Sequence, residues 1–185
     1  MVRALIIGVT SVAFNFSRSI VIYAAMTALA SSLLSGKVIA QQKSLKEQLI
    51  GTWMIVRCEV VQPDGSKGPL VFGSNPLGQF IFTDNGRFAF QVAADLPKFA
   101  SGDYRKTTPE ENKTVVEGAM AYFGSYTASD VDKTIALHVE RSSIPNLNGT
   151  DGRRIVTAIS PDELNWTNPA PLGGGSISCA NKRAK

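Results

Sequence analysis

His138, Glu140, Arg153 and Arg154, with Asn146 in the loop between them, are the residues of this chain whose types and spacing best suit chemistry. His138 and Glu140 stand two apart, so on a strand they share one face. Arg153 and Arg154 open the next apolar segment on opposite faces, so at most one of them joins the pair. Enclosed together, an imidazole, a carboxylate and a guanidinium would hold the polar head of an otherwise apolar molecule. A carboxylate beside a histidine also tunes it around neutral pH, so acid–base chemistry is open to the same set. The opposite assignment turns Ile135, Leu137 and Val139 inward and leaves His138 and Glu140 in solvent; simple apolar alternation favours it. Other chemistries find no pattern. One histidine and two distant cysteines make no zinc motif, and Gly173-Gly174-Gly175 lacks the Lys-Ser/Thr of a phosphate loop. No metal and no cofactor are expected.

The elements that must position these residues are short strands. Leu49-Ile50-Gly51-Thr52-Trp53-Met54-Ile55-Val56 opens the series. Gly51 lets the chain bend tightly, and Trp53 offers a large apolar plug. Strict alternation places Arg57 and Glu59 on the face of Trp53. The pattern predicts eight strands: 50–61, 79–83, 87–93, 121–128, 133–140, 153–159, 163–167 and 176–183. Asp84-Asn85-Gly86 supplies the tight turn of the clearest hairpin, and the segment from Lys67 to Pro76 reads as loop. Phe80, Phe82, Phe88 and Phe90 form an aromatic row on one face, and Tyr122, Phe123 and Tyr126 stand on the next strand. Thr108-Pro109-Glu110-Glu111 is a capped helix start, predicting a helix to about Ala119 that lids or plugs one end of the sheet. The fold class expected is all-β, a small antiparallel up-and-down barrel with one short helix.

Composition sets further bounds. The chain has 185 residues and a formal charge of +4. Residues 1–40 contain Arg3, Arg18 and Lys37 and no acid, so the rest is nearly neutral and carries no basic stripe. Nucleic acid is therefore not an expected partner. Ile20 to Leu34 is apolar, and Val38-Ile39-Ala40 places small residues as at a cleavage site before Gln41. The expected organisation is a signal segment over 1–40 and one domain over 41–185, in a periplasmic or secreted protein. The membrane is a partner only through an uncleaved N-terminal segment, and nothing in the sequence sets the oligomeric state. Cys58 and Cys179 either form one disulfide or remain buried thiols.

Taken together, these residues resemble the bacterial and fungal lipocalin-like domain family of the calycin barrels over about 45–185. The resemblance rests on Leu49-Ile50-Gly51-Thr52-Trp53, Asp84-Asn85-Gly86-Arg87-Phe88, Thr108-Pro109-Glu110-Glu111-Asn112, Tyr122-Phe123-Gly124-Ser125-Tyr126, His138-Val139-Glu140, Arg154 and Asn168-Pro169. It implies a barrel with an internal cavity and no particular reaction. It also implies an arginine of the last strand, Arg183, stacked on the Trp53 indole. That stack conflicts with a directly opposed Cys58–Cys179 pair, which would set Arg183 against Met54 on the other face. Only a bulge reconciles the two, and the stack is the preferred alternative. The function expected is binding of a small, largely hydrophobic molecule, with His138, Glu140, Arg154, Asn146, Tyr126, Arg57 and Phe90 as candidate contacts and Gly51, Trp53 and Arg183 as structural residues. The alternative is an isomerase or cyclase acting on a hydrophobic molecule in the same cavity. A filled barrel without a cavity is the third.

Overall fold

The computed structural model describes residues 43–73, 75–172 and 174–185. The signal segment expected over 1–40 lies outside them. Nine strands are formed among the described residues: β1 (Gly51–Val61), β2 (Lys67–Leu70), β3 (Leu77–Phe82), β4 (Arg87–Ala93), β5 (Ala119–Ser129), β6 (Thr134–Ser142), β7 (Asp151–Ile159), β8 (Glu163–Asn168) and β9 (Ser176–Arg183). Each pairs antiparallel with its neighbour, and β9 returns to pair with β1, so eight strands close a barrel in up-and-down order. Closure removes the two open edges an eight-strand sheet would have; β2, paired only with β1 among the described residues, keeps one edge free. The ninth strand, β2, is a correction to the loop expected there. It continues along the β1 edge where β3 departs: β3 pairs with Gly51 to Met54, and β2 with Glu59 and Val61.

Alternation of inward and outward side chains is interrupted by bulges, and these decide which residues face the interior. In β1, Ile55 pairs with Asn181 and Arg57 with Ala180, leaving Val56 as the extra residue. The parity flips there. Trp53, Ile55 and Cys58 are buried while Val56 and Arg57 are exposed. The same bulge lets Trp53 oppose Arg183 and Cys58 oppose Cys179 in one strand pair. The disulfide and the Arg–Trp stack, which exclude each other in a regular ladder, therefore coexist. Cys58 and Cys179 are bonded, with their Cα atoms 4.2 Å apart.

One end of the barrel is closed. Helix α1 (Leu45–Leu49) is a single turn held by a Ser44–Glu47 capping box. It drives Leu45 and Leu49 into the core. Its first backbone N–H donates to Asp130 in the β5–β6 turn at 2.7 Å. Trp53 lies beneath, fully buried, its indole N–H donating to the Leu49 carbonyl at 2.7 Å. The Arg183 guanidinium stacks 4.0 Å from the Trp53 ring centroid and donates to the carbonyls of Gln48, Ile50 and Pro161. Gly51, at φ 127°, passes so close that a Cβ there would lie 2.6 Å from the arginine. Phe80, Phe82 and Phe88 fill the adjoining half, with Phe80 and Phe82 stacked at 4.2 Å.

Helix α2 (Pro109–Gly118) carries the predicted Thr108–Glu111 capping box and Pro109 at its first position. It does not plug the barrel. None of its residues is buried; it borders a groove on the outer wall, and its Glu117 also lines the open half of the barrel interior. The plug is α1.

Candidate functional site

The half of the barrel away from α1 is hollow. A cavity of about 280 Å³ is lined by Phe90, Tyr122, Leu137, Val139, Arg154, Trp166, Ile177 and the Cys58–Cys179 bridge. Its mouth is formed by Val71 and Phe72 after β2, by Leu147 and Thr150 before β7, and by Ala170 to Leu172 after β8. The aromatic wall comes from the hairpin and its neighbour, with the Phe90 and Tyr122 rings stacked 4.7 Å apart. Such a cavity, mostly apolar with a few convergent polar groups, is the usual form of a small-molecule site.

The buried polar groups on its wall are Arg154, Tyr122 and Trp166; Glu117, Thr150, Asp151 and Asn168, exposed or half-buried, also line it. Arg154 enters the barrel because β7 alternates regularly through Val156, so Arg153 points outward and Arg154 inward. Its side chain is 7% exposed. Nη2 donates to the Tyr122 hydroxyl at 3.0 Å and Nη1 to the Arg153 carbonyl at 2.9 Å. The guanidinium carbon sits 5.1 Å from the Trp166 ring centroid. Arg154 Nε and Trp166 Nε1 are buried, and neither has a hydrogen-bond partner among the described residues. Buried donors are normally paired; these two lie behind the cavity wall, with less than 1 Å² of accessible surface each.

The other expected contacts are distributed differently. Of the seven, Arg154 and Phe90 line the cavity. His138 and Glu140 face outward, because Leu137 and Val139 take the inward positions of β6. His138 Nδ1 lies 2.8 Å from an Asp151 carboxylate oxygen at the surface. Glu140 is the extra residue of a bulge, since Phe123 pairs with Arg141 and Gly124 with Val139. It forms a two-pronged ion pair with Arg87, which holds its carboxyl below the usual glutamate range. Arg57 lies outside the barrel beyond the Val56 bulge, 2.7 Å from Glu59. Asn146 is exposed in the 3₁₀ turn Pro145–Leu147. Tyr126 points inward but at the closed end, its hydroxyl donating to the Thr83 carbonyl at 2.9 Å. The proposed cluster of imidazole, carboxylate and guanidinium is therefore not assembled; the barrel wall separates Arg154 from the other two.

A family profile described as a lipocalin-like domain matches residues 50–178. The chain belongs to the lipocalin-like domain family. Among solved structures, a lipocalin-like protein from Bacteroides uniformis is 12% identical, with 74% of this chain and 99% of that chain covered and a TM-score of 0.43. A redesigned β-barrel is 14% identical, with 78% and 98% covered and a TM-score of 0.40. No curated protein matches the chain. A lipocalin-like barrel suits small-ligand binding in general, and this lipocalin-like domain has one end plugged and the other hollow.

A second concavity lies outside the barrel. It is larger, about 570 Å³, and runs between α2 and the outward faces of β3, β4 and β5, with Met54, Leu77 and Val116 exposed along it. Of the two, the inner cavity is walled by the barrel's own aromatic rings and holds the buried Arg154, so the inner cavity is the candidate site.

Proposed function

We propose that this lipocalin-like domain is an exported binding protein that takes one small, largely apolar molecule into the open half of its barrel. The observation that carries the reading is the unequal filling of the interior. Trp53, Phe80, Phe82 and Leu164 pack the closed half at 0–1% exposure. Tyr122, Leu137, Val139 and Trp166 surround a void of about 280 Å³ in the other. That volume falls just below the range of about 300–1,000 Å³ usual for ligand pockets, which favours a compact molecule. Export is supported by the apolar stretch Ile20 to Leu34 with the small residues before Gln41, and by the single disulfide, a bond that persists in oxidising compartments.

A substitution that fills the void tests the binding reading. Val139→Phe adds bulk at a buried wall position at an expected cost of about 1–3 kcal/mol. The account predicts that wild-type protein enhances the fluorescence of a small neutral apolar dye and that Val139→Phe does not, with unchanged far-ultraviolet circular dichroism. Equal enhancement by both would place the dye elsewhere and contradict the reading. Export is tested separately by sequencing the N-terminus of the protein recovered from the periplasm or medium, where a start at Gln41 is expected. Retention of the uncleaved chain in the cytoplasm would contradict it.

A further inference from the structure

We propose that the outer wall formed by β1, β3, β4 and β5 together with α2 is the surface on which two copies of this chain pair about a two-fold axis. The inference is independent of what the barrel holds.

The argument starts from where the exposed apolar side chains fall. Among the described residues, the large ones on strands are Met54 and Val56 on β1, Leu77 on β3 and Phe123 on β5, and β6 to β9 carry none. One wall of the barrel is therefore apolar and the other polar. The strand register sets Met54, Gln79, Gln91 and Ala121 in one row across the apolar wall. Ala89, Ala93 and Ala119 stand in the rows beside it, so the middle of the wall is a low, uncharged floor. Helix α2 rises at its edge. A helix on a folded domain normally buries an apolar stripe, yet no residue of α2 is buried. Val116 is 63% exposed and lines the groove of about 570 Å³ with Met54 and Leu77. The molecule carries both halves of one contact, a helix without a cover and beside it a groove open to a second helix.

Charge selects a second copy as the occupant. Helix α2 is acidic, with Glu110, Glu111 and Glu117 against Lys113. The floor is flanked by two bases, Lys182, which pairs with Met54 in register, and Arg141, which pairs with Phe123. Neither base has a carboxylate within 4 Å among the described residues. A two-fold rotation lays the acidic helix of each copy toward the bases of the other. The two helices then run antiparallel, and about an axis near Val115 Lys113 of each comes opposite Glu117 of the other. Within one chain that pair is loose, at 3.8 Å with both side chains exposed, and Lys before Glu is the weaker order along a helix. It is free to exchange for the pairing between copies. A patch that meets itself closes as a dimer instead of growing into a chain. Four strands span about 15 Å at their usual spacing, and α2 is about 15 Å long. A face of that size is small for a specific interface, so the dimer is expected to dissociate in the micromolar range.

Sedimentation equilibrium of the purified protein from about 1 to about 500 µM tests the proposal. Wild type is expected to pass from monomer to dimer and to stop there. Val116→Lys sets a charge in the centre of the contact and is expected to weaken the dimer at least about tenfold, with far-ultraviolet circular dichroism and dye uptake unchanged. Lys113→Glu and Glu117→Lys each place like charges opposite one another across the axis, and each alone is expected to weaken the dimer several-fold. An equimolar mixture of those two variants pairs unlike charges at both positions and is expected to restore it. Wild type that remains monomeric at every concentration would overturn the proposal and leave the wall to a different protein. A dimer as tight in Val116→Lys as in wild type would lie on another face and overturn it too. Failure of the mixture to associate better than either variant would overturn the antiparallel pairing of the helices.

Discussion

Arg154 and Arg183 stand inside the same barrel at opposite ends, and their surroundings give them opposite tasks. Arg183 is satisfied: three backbone carbonyls accept from it and the Trp53 ring lies beneath it. It fastens the entry of β1 to the end of β9. Arg154 keeps a donor without a partner among the described residues, and it lines the cavity. Gly51 belongs to the first arrangement. At φ 127° and against the arginine, an alanine is both conformationally strained and crowded. Gly51→Ala is expected to lower stability by about 1–3 kcal/mol by denaturant unfolding, while dye binding at the far end stays intact; an unchanged midpoint would contradict this account of the closed end. The stack of Arg183 on Trp53 was implied by the family resemblance alone. The partners of Trp166 and Tyr122 were not, because single aromatic residues in short strands read equally well as packing.

At the scale of the element, bulges explain where simple alternation misleads. Eight strands, the capped helix and the tight hairpin turn are visible in composition and turn residues alone. The extra residues Val56 and Glu140 carry no sequence signal, yet Val56 moves Arg57 to the outside and Glu140 becomes a surface ion-pair partner. The β2 strand was hidden for a related reason: Lys67-Gly68-Pro69-Leu70 has loop composition, and its pairing is set by the edge that β3 vacates. Gly124 shows how tightly the β5–β6 bulge is fitted, since a Cβ there would lie 1.8 Å from the His138 carbonyl oxygen. The ion pair from Arg87 on β4 to Glu140 on β6 crosses β5 and ties three strands. Hydrogen bonding from Arg87 lowers the Glu140 carboxyl, and the same kind of bond from Arg57 lowers Glu59. A carboxyl whose folded value lies below its unfolded value stabilises the fold above the unfolded value and loses that contribution as the pH falls through the folded one. The melting temperature is therefore expected to decline below the ordinary glutamate value of about 4.3, and Glu140→Gln is expected to flatten part of that decline. A profile identical to wild type would show that the pair contributes nothing.

For the whole molecule, the disulfide and the cavity are one problem. Cys58 and Cys179 are 121 residues apart and join the first and last strands of the barrel beside the void. Closing so long a loop restricts the unfolded chain, and the chain-entropy account gives about 4–5 kcal/mol for it. Reduction is expected to lower the melting temperature. A hollow half-barrel has fewer packed side chains than a filled one, so a covalent tie between its closing strands compensates for contacts that the cavity removes. The most direct test of the central claim, that this barrel is a container, is native mass spectrometry of the protein isolated from the compartment in which it accumulates, followed by denaturation and solvent extraction. The account predicts a bound species of a few hundred daltons or less at one per chain, released on denaturation and absent from the Val139→Phe variant. A species retained equally by Val139→Phe, or no bound species together with no uptake of the small apolar dye by the extracted protein, would contradict it.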